Sequence, residues 1–371
     1  MPKAVRFVLK FLSVVIAVGL ISSALVIWAF SYYNTAPNEK TPSNGWRAGN
    51  EGPIDEGLRI EDGSLFLEVR QGESADSVGR RLESAGVIRN RNFWYLLFRL
   101  DKDYMRSGSY MIELPATATQ IRSILVKGSQ ILVKVTVPEG VTLRKTADLL
   151  ENSGICGAEE FLRAASSREI LDDYSVPGTT MEGYLYPDTY LFPLGYPASA
   201  VVRVMADTFY ERLDKVLSEA AASQGGYRGS READELNSRI IIASIVEREY
   251  RVPEEAAVMA GVFYNRLDIG MALQSCATVE YVITEIQGRP HPEQLFNRDL
   301  EIRDPYNTYI RPGLPPGPIS APGETALRAA FIPEPTEYFY FRLVDQGAGR
   351  HYFSRTLDDH IRAGALYVKG N

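Results

Sequence analysis

One apolar segment constrains the folding of this chain more than any other. Phe11 to Phe30 (FLSVVIAVGLISSALVIWAF) is a run of twenty residues without a charged side chain. A helix of about 20 apolar residues crosses roughly 30 Å of hydrocarbon, so the run predicts a transmembrane helix over residues 11–30. A cleaved signal peptide is the alternative, but the run is longer than a usual signal core and no clear A-x-A cleavage site follows it.

The charges before this run predict its orientation. Lys3, Arg6 and Lys10 precede it. By the positive-inside rule, residues 1–10 stay in the cytoplasm and the rest of the chain crosses the membrane. The sequence therefore predicts a single-pass protein whose folded part lies outside the membrane.

The part of the chain beyond these three cations is acidic. It holds 37 Lys and Arg against 47 Asp and Glu, a formal charge of −10. This balance argues against nucleic acid or anionic lipid as the main partner, because both repel a surplus of carboxylates.

Residues 31–63 differ in composition from the residues after them. They are rich in Pro, Gly, Asn and acidic residues and show hardly any apolar periodicity. These features predict a flexible linker between the membrane and the folded part.

A short internal repeat begins after the linker, with an offset of 68 residues between its copies. In each copy an alternating strand (65–70, then 131–137) leads through a glycine turn into an amphipathic helix that ends at Gly86 or Gly154. Two βα units are predicted. Their strand, turn, capped helix and glycine stop resemble the LysM module, whose family binds glycan strands of bacterial cell walls; an ordinary βα unit is the alternative.

The overall expectation is an α+β protein. It consists of a single N-terminal transmembrane helix, a LysM-like βα subdomain over residues 64–156 and a larger mixed α/β domain over residues 157–371. Within the larger domain, residues 157–236 are mostly helical by periodicity, with a loop at 224–230. A helix from Pro253 to about Leu267 follows, and the last hundred residues predict short strands and loops.

The sequence lacks the motifs of several reaction classes. Its three histidines are too scattered for an H-E-x-x-H zinc site, and it has no G-x-S-x-G elbow, cysteine metal cluster or glycine-rich phosphate loop. Cys156 and Cys276 lie far apart in sequence, and we expect free thiols. No metal or cofactor is expected. The remaining carboxylates, amides, hydroxyls and tyrosines are typical of carbohydrate sites.

Glu247 stands at the end of a strongly apolar segment. Ile240 to Val246 are apolar apart from Ser244, which predicts an element that is buried on nearly all sides. Burial at its edge would raise the pKa of a carboxylic acid and suit it to donate a proton near neutral pH. The alternative is an ion pair with Arg248 or Arg251.

Four segments stand out as polar or aromatic strings in the larger domain. They are Glu182–Asp188 (EGYLYPD), Ser244–Glu247 (SIVE), Met271–Thr278 (MALQSCAT) and Pro305–Ile319 (PYNTYIRPGLPPGPI). Together and in this order they resemble the MltG-type (YceG-like) endolytic murein transglycosylases, and the resemblance runs from about Phe66 to the C-terminus. An N-terminal anchor followed by a LysM-like subdomain also fits that family's layout.

The resemblance implies an activity and a place in the cell. It makes Glu247 the catalytic acid and residues 157–371 the catalytic domain, which cuts the bond between N-acetylmuramic acid (MurNAc) and N-acetylglucosamine (GlcNAc) and leaves 1,6-anhydro ends. It also implies the bacterial inner membrane, with the catalytic domain in the periplasm. The implied partners are peptidoglycan glycan strands and peptidoglycan synthases, although no residue here shows contact with a synthase.

Three further residues are candidates for substrate binding. Gln274, Asn307 and Tyr309 carry amide and phenol groups that could hold the N-acetyl and hydroxyl groups of the sugar. Their alternative is loop structure, since Asn307 could form an Asx turn and Tyr309 could simply pack. Glu249 points away from Glu247 on a helix, and we expect it to be solvated.

The sequence departs from the family pattern at Cys276, where relatives more often carry Asp. A thiol cannot replace a carboxylate in charge, so any assisting role of that position is in doubt. Glu280 could compensate. Glu182 and Asp188 are expected to be turn and packing residues.

Two other functions stay open. A non-catalytic scaffold that binds the cell wall could use the same fold, and a hydrolytic muramidase could use the same substrate. Loss of anhydro products on substitution of Glu247 separates the enzyme from the scaffold. The mass of the products separates the two enzymes.

Overall fold

The apolar run at the N-terminus forms the longest helix of the described chain. The computed structural model describes residues 3–37, 52–55, 57–61, 63–101, 103–128, 130–222 and 233–368. Helix α1 (Lys3–Asn34) includes Leu12–Asn34, with a mean hydropathy of 2.4 and almost entirely exposed side chains. Such a helix is long and apolar enough to cross a membrane, which agrees with the run predicted from the sequence.

The chain divides into two compact units. The first comprises the chain up to Leu132 together with Pro193–Gly195, and the second comprises Val133–Phe192 and Tyr196–Asn371. The sequence placed the boundary between its two regions later, after residue 156. Both units mix helices and strands, so the predicted mixed α/β class is confirmed.

The first unit packs three helices on an antiparallel sheet. The sheet order is β1-β2-β3-β4, and Leu65 and Leu67 of β3 face the helices with Tyr110 and Ile112 of β4. The elements are β1 (Gly52–Asp55), β2 (Leu58–Glu61), β3 (Ser64–Val69), α2 (Ala75–Ser84), α3 (Arg91–Asp101), β4 (Gly108–Glu113) and α4 (Ala118–Lys127).

The linker predicted over residues 31–63 is shorter than expected. Helix α1 continues to Asn34, and β1 and β2 take up residues 52–61. Leu58 and Ile60 are buried and pair with β3. This alternation covers only two apolar residues, too few to be recognised in a segment rich in glycine and acidic residues. Residues 38–51 lie outside the described chain.

The internal repeat is a repeat of local structure. Both copies form a strand, a turn and a helix, the second being β5 (Leu132–Thr136) and α5 (Leu143–Asn152). Equivalent side chains cap the two helices: Ser74 accepts from the Ser77 N–H, and Thr142 accepts from the Lys145 N–H. The sheets differ, because β3 lies in the four-stranded sheet whereas β5 pairs with β6 (Thr189–Pro193).

The second unit is built mainly of helices. The helical prediction for residues 157–236 is confirmed in its described part, and the loop at 224–230 lies outside that part. Its remaining elements are α6 (Ala158–Ala165), α7 (Arg168–Asp173), α8 (Ala198–Ala222), α9 (Ala233–Glu249), α10 (Ala256–Asp268), α11 (Cys276–Tyr281), α12 (Asn297–Leu300), α13 (Glu324–Phe331), β7 (Tyr340–Asp345), β8 (Arg350–Ser354) and α14 (Leu357–Arg362).

The last hundred residues contain more helix than the sequence predicted. Strands β7 and β8 form a hairpin, but helices α11 to α14 were missed. Each of these helices has eight residues or fewer. An apolar period of 3.6 can barely be recognised over so short a stretch.

Helix α9 forms the centre of the second unit. Its residues 240–246 are all buried, and it packs against α10, α11 and α13. A helix that is apolar on every side needs neighbours on every side, which explains this position. Glu247 comes immediately after these residues, in the last turn of α9.

Candidate active site

The carboxylate of Glu247 is held by two donors. The backbone N–H of Gly323 donates to Oε2 at 2.9 Å, and the hydroxyl of Tyr250 donates to Oε1 at 3.4 Å. Tyr250 lies just beyond the end of α9, and Gly323 immediately precedes α13. The close contact fixes Oε2, while the longer contact leaves Oε1 the less engaged oxygen.

The environment of Glu247 favours its protonated form. Burial raises the pKa of Glu247 to about 7, and the nearby negative charge of Glu139 also raises it. The hydrogen bonds from Gly323 and Tyr250 act in the opposite direction and are outweighed. The position in the last turn of a helix adds to the effect, because the negative end of the helix dipole disfavours a carboxylate.

Glu247 does not form the ion pair considered as its alternative role. Arg248 instead pairs with Glu280, with 2.9 Å between Nη2 and Oε2. Across the described parts of the chain, Glu247 has no ion pair with any Lys, Arg or His. A carboxylate with a raised pKa and no cationic partner is a candidate for proton transfer.

Ser244 connects the helix to the segment that carries Gly323. Its hydroxyl is fully buried, donates to Ile241 O at 2.8 Å and accepts the N–H of Ile319 at 3.0 Å. The hydroxyl of Ser320 in turn donates to the Ser244 carbonyl at 3.0 Å. Hydrogen bonds therefore join the SIVE string to Ile319 and Ser320, at the end of the PYNTYIRPGLPPGPI string, a few residues before Gly323.

The turn of the second repeat copy brings another carboxylate to this place. The N–H of Gly140 donates to Ala321 O, and the N–H of Ala321 donates to Val141 O, each at 2.8 Å. The adjacent Glu139 lies so close to Gly323 that an added Cβ there would sit 1.9 Å from its Oε1. Sequence reasoning missed Glu139, since one glutamate in a turn gives no signal of its own.

The EGYLYPD string contacts the residues that follow the same turn. Both carboxylate oxygens of Glu182 accept the Leu143 N–H at 3.0 Å, which fixes the start of α5 just after the turn. Gly183 has φ +81, and a Cβ there would lie 2.3 Å from the ring of Pro318. Glu182 is thus a buried packing and capping residue, as expected.

Gln274 is exposed and conformationally unusual. Its φ of 51° lies in the left-handed region, which non-glycine residues seldom adopt. Its N–H donates to Thr308 O at 3.0 Å, and the adjacent Ser275 N–H donates to the Thr308 hydroxyl at 3.1 Å. The backbone of the loop thus holds a strained residue with its side chain in solvent, as functional residues often are.

Asn307 serves its own loop. It is 0% exposed, and its amide nitrogen donates to Leu300 O at 2.9 Å and Ile302 O at 2.8 Å. Its amide oxygen accepts the Tyr309 N–H at 2.9 Å, which is an Asx turn. Both polar atoms of the Asn307 side chain thus have partners inside the protein, which is the loop role considered as the alternative to substrate contact.

Tyr309 and Cys276 meet at the surface of the same region. The phenol oxygen lies 3.1 Å from Cys276 Sγ, and burial raises the pKa of Tyr309. Both cysteines are free thiols, as expected. Glu280 is engaged with Arg248 and lies 3.4 Å from His291, so it is not free to take the place of an acid at position 276.

Glu249 differs from its expected role. It is partly buried, and the Ser275 hydroxyl donates to its Oε1 at 2.5 Å. The expectation of a solvated side chain was wrong, because the segment before α11 closes over this side of α9. The contact ties the segment that carries Gln274 to the same helical turn that carries Glu247.

The chain is similar to known proteins over most of its length. It is 26% identical over 334 residues to a Streptococcus pneumoniae (serotype 2, strain D39) protein named endolytic murein transglycosylase, which covers 82% of this chain. It spans only 58% of that relative. A Bacillus subtilis (strain 168) protein of the same name is 26% identical over 324 residues, covering 82% of this chain and 85% of its own.

The chain is also similar to a protein of known structure. The crystal structure of a YceG-like protein from Listeria monocytogenes matches with a TM-score of 0.52 and 29% identity, covering 81% of this chain and 98% of that one. The YceG-like family itself matches residues 67–365, which include nearly all of both repeat copies, Glu247 and all four sequence strings. This chain belongs to the YceG-like family.

Proposed function

We propose that this protein is an endolytic murein transglycosylase that cuts the β-1,4 bond between MurNAc and GlcNAc inside glycan strands and leaves 1,6-anhydro-MurNAc ends. The observation that carries the proposal is the state of Glu247: a partly buried carboxylate, oriented by Gly323 and raised in pKa to about 7. The names of the relatives from S. pneumoniae and B. subtilis support the same reaction.

In the first step Glu247 acts as a general acid. Its proton passes to the oxygen that joins the two sugars, the bond from that oxygen to the anomeric carbon of MurNAc breaks, and positive charge develops at that carbon. A pKa of about 7 keeps a large share of Glu247 protonated at neutral pH. The Gly323 N–H holds Oε2, so Oε1 is the oxygen that carries the reacting proton.

In the second step the same residue acts as a general base. The Glu247 carboxylate takes the proton of the MurNAc C6 hydroxyl while that oxygen bonds to the anomeric carbon. No water is consumed, and Glu247 ends the cycle protonated as it began. One carboxylate is sufficient because the nucleophile belongs to the substrate.

Gln274 and Tyr309 are proposed to contact the sugar. The strained backbone of Gln274 and its exposed amide suit the recognition of an N-acetyl or hydroxyl group. Tyr309 offers a partly buried phenol beside Cys276. Asn307 contributes indirectly, since its amide oxygen accepts the Tyr309 N–H and so orients that residue.

The remaining parts of the proposal concern location. Helix α1 anchors the protein in the bacterial inner membrane with residues 1–10 in the cytoplasm and the catalytic region, residues 157–371, in the periplasm. The βα units between residues 64 and 156 bind glycan strands as LysM-like modules do, and peptidoglycan synthases are the expected protein partners. The acidic balance of the exported chain and its apolar N-terminal helix support this arrangement.

Digestion of isolated sacculi tests the proposed reaction. The purified protein should release soluble fragments of several disaccharides with 1,6-anhydro ends, as mass spectrometry would show. A hydrolytic muramidase would give products about 18 Da heavier, the mass of one water. Single anhydro-disaccharides alone would contradict internal cleavage, and intact sacculi would favour the non-catalytic scaffold.

A further inference from the structure

Helix α3 is apolar on two sides. One side supplies Trp94, Leu97 and Phe98 to the core of the first unit, where all three are buried. On another side Phe93, Leu96 and Leu100 recur at spacings of three and four, so they form one stripe. Leu96 is 46% exposed and Leu100 is 69% exposed. A helix with two apolar sides needs a second cover besides the core.

The end of α1 lies at the start of this stripe. The ring of Phe30 meets the ring of Phe93 edge-on with 5.4 Å between centroids, and Tyr33 stacks on Phe93 at 6.0 Å. Phe30 is the last residue of the apolar run, and Tyr33 follows in the next turn. Phe93 therefore lies at the depth at which the hydrocarbon region of a spanned membrane would end.

Polar contacts hold α1 in this position. The guanidinium of Arg89 lies 5.0 Å from the centre of the Tyr32 ring, and its Nε donates to Thr35 O at 3.0 Å. At the start of α4 the Thr119 N–H donates to Asn34 Oδ1 at 3.0 Å. The last turns of α1 are thus attached to the first unit by side chains on both sides.

The geometry of α3 keeps the whole stripe near that depth. At 1.5 Å per residue, Leu96 and Leu100 follow Phe93 along the helix axis by only about 5 Å and about 10 Å. Arg99 and Tyr95 are also exposed, on the side of the helix next to the stripe. Cations and amphipathic rings that flank an apolar stripe are typical of helices in the interface of a membrane.

We propose that α3 lies in the outer interface of the membrane that α1 spans, with Phe93, Leu96 and Leu100 in contact with lipid. The inference rests on the proposed anchoring by α1 and extends it, because it holds the first unit against the bilayer. The first unit is held at the bilayer by the apolar stripe of α3 and by its covalent connection to α1. It does not need electrostatic attraction, which the acidic exported chain would oppose.

Site-directed spin labelling of the full chain in nanodiscs tests this. The nanodiscs contain phosphatidylethanolamine and phosphatidylglycerol, and Cys156 and Cys276 are replaced by Ser so that one label is present at a time. Labels are placed at Leu96→Cys and Leu100→Cys. Ile16→Cys in α1 reports on the anchor, and Arg80→Cys on the exposed side of α2 is the control within the same unit.

Collision with two relaxation agents distinguishes the outcomes. Labels at 96 and 100 should favour molecular oxygen over a water-soluble nickel chelate several-fold more than the label at 80 does. Equal nickel access at 80, 96 and 100, with the label at 16 in lipid, would overturn the inference and leave the anchor standing. Shielding of 96 and 100 from both agents would mean a protein cover and would also overturn it. A label at 16 that lies in water would overturn the anchor, and the inference with it.

Discussion

At the scale of single residues, the proposed mechanism depends on why Glu247 holds its proton. The carboxylate is partly buried in the last turn of a helix and forms no ion pair within the described residues, and the negative charge of Glu139 raises its pKa further. Glu139 is exposed and belongs to the turn that packs on Gly323. Its negative charge raises the pKa of Glu247, so Glu139 acts on the reaction through Glu247 and is not itself a catalytic residue.

The pH dependence of activity should follow from this pair. Because Glu247 must be protonated to act as the acid, kcat should fall as the pH rises above about 7. Glu139→Gln removes a negative charge that raises the pKa of Glu247, so the alkaline limb should move to lower pH. Initial rates of anhydro-product release across about pH 5 to about 9 check this.

The matched control is Glu211→Gln, which removes an exposed carboxylate from α8 that pairs with Lys215. Its pH profile should equal that of the unmodified protein. An alkaline limb that stays in place or moves upward in Glu139→Gln would contradict the assigned influence of Glu139.

The raised pKa also predicts a change in stability. Between about pH 4.5 and about 7, the unfolded chain releases the Glu247 proton whereas the folded chain keeps it, so stability from this group falls as the pH rises through that window. Glu247→Gln removes the effect. Relative to the unmodified protein, the variant should gain on the order of 3 kcal/mol at pH 8 and much less at pH 5.

Urea unfolding at both pH values measures this difference. Glu211→Gln should show no such dependence, since its carboxylate is exposed. A variant that is equally stabilised at both pH values, or destabilised at pH 8, would show that the folded state does not favour the protonated acid.

Residue roles were only partly predictable from the sequence. The apolar run before Glu247 was enough to anticipate a buried acid with a raised pKa. The amide of Asn307 could not be assigned, because whether it faces a sugar or its own loop depends on the backbone carbonyls of Leu300 and Ile302. Glu249 was misjudged for a similar reason, since its partner Ser275 lies far along the chain.

At the scale of elements, the site depends on how α9 is joined to the segment before α13. Ser244 accepts the Ile319 N–H and holds Ser320, and three residues later Gly323 donates to Glu247. Helix α9 thus carries both Glu247 and Ser244, which fixes the loop whose Gly323 orients Glu247.

Ser244→Ala should weaken this junction. It leaves the buried N–H of Ile319 without its acceptor, which should cost about 1–3 kcal/mol in the free energy of unfolding. It should also lower kcat at temperatures where the variant is folded, because the loop no longer fixes Gly323 against Glu247. Urea unfolding, together with product release measured about 20 °C below the thermal midpoint, separates the two effects.

Ser238→Ala provides the comparison on the same helix. The Ser238 hydroxyl donates to Asp234 O within α9, in an exposed position. This substitution should change stability by less than about 0.5 kcal/mol and leave kcat unaltered. If Ser244→Ala keeps full kcat in its folded state, the loop does not depend on this hydroxyl.

The elements themselves were predicted to different degrees. Helix α9 and the repeat helices could be located because their apolar spacing and capping residues are local signals. The short helices α11 to α14 could not, since tertiary contacts stabilise them more than their own sequence does. Strands β1 and β2 were missed because they are ordered by pairing with other strands, β1 with β2 and β2 with β3, and not by a signal in their own composition.

At the scale of the whole molecule, one long apolar helix and two compact units carry the proposed function. The long apolar N-terminal helix and the mixed α/β class follow from the sequence, whereas the division near Leu132 does not. The second repeat copy shows why. Its turn belongs to the second unit and brings Glu139 and Gly140 to Glu247, so a segment that was predicted to be part of a binding module also contributes to the candidate active site.

In the proposed mechanism Glu247 alone serves as acid and base. The most direct test compares the unmodified protein with Glu247→Gln on isolated sacculi, counting 1,6-anhydro-MurNAc ends by mass spectrometry after circular dichroism has shown equal folding. We expect the variant to lose release of these ends by a factor of about 10² to 10⁴ or more. Release at the normal rate from the folded variant would contradict the mechanism.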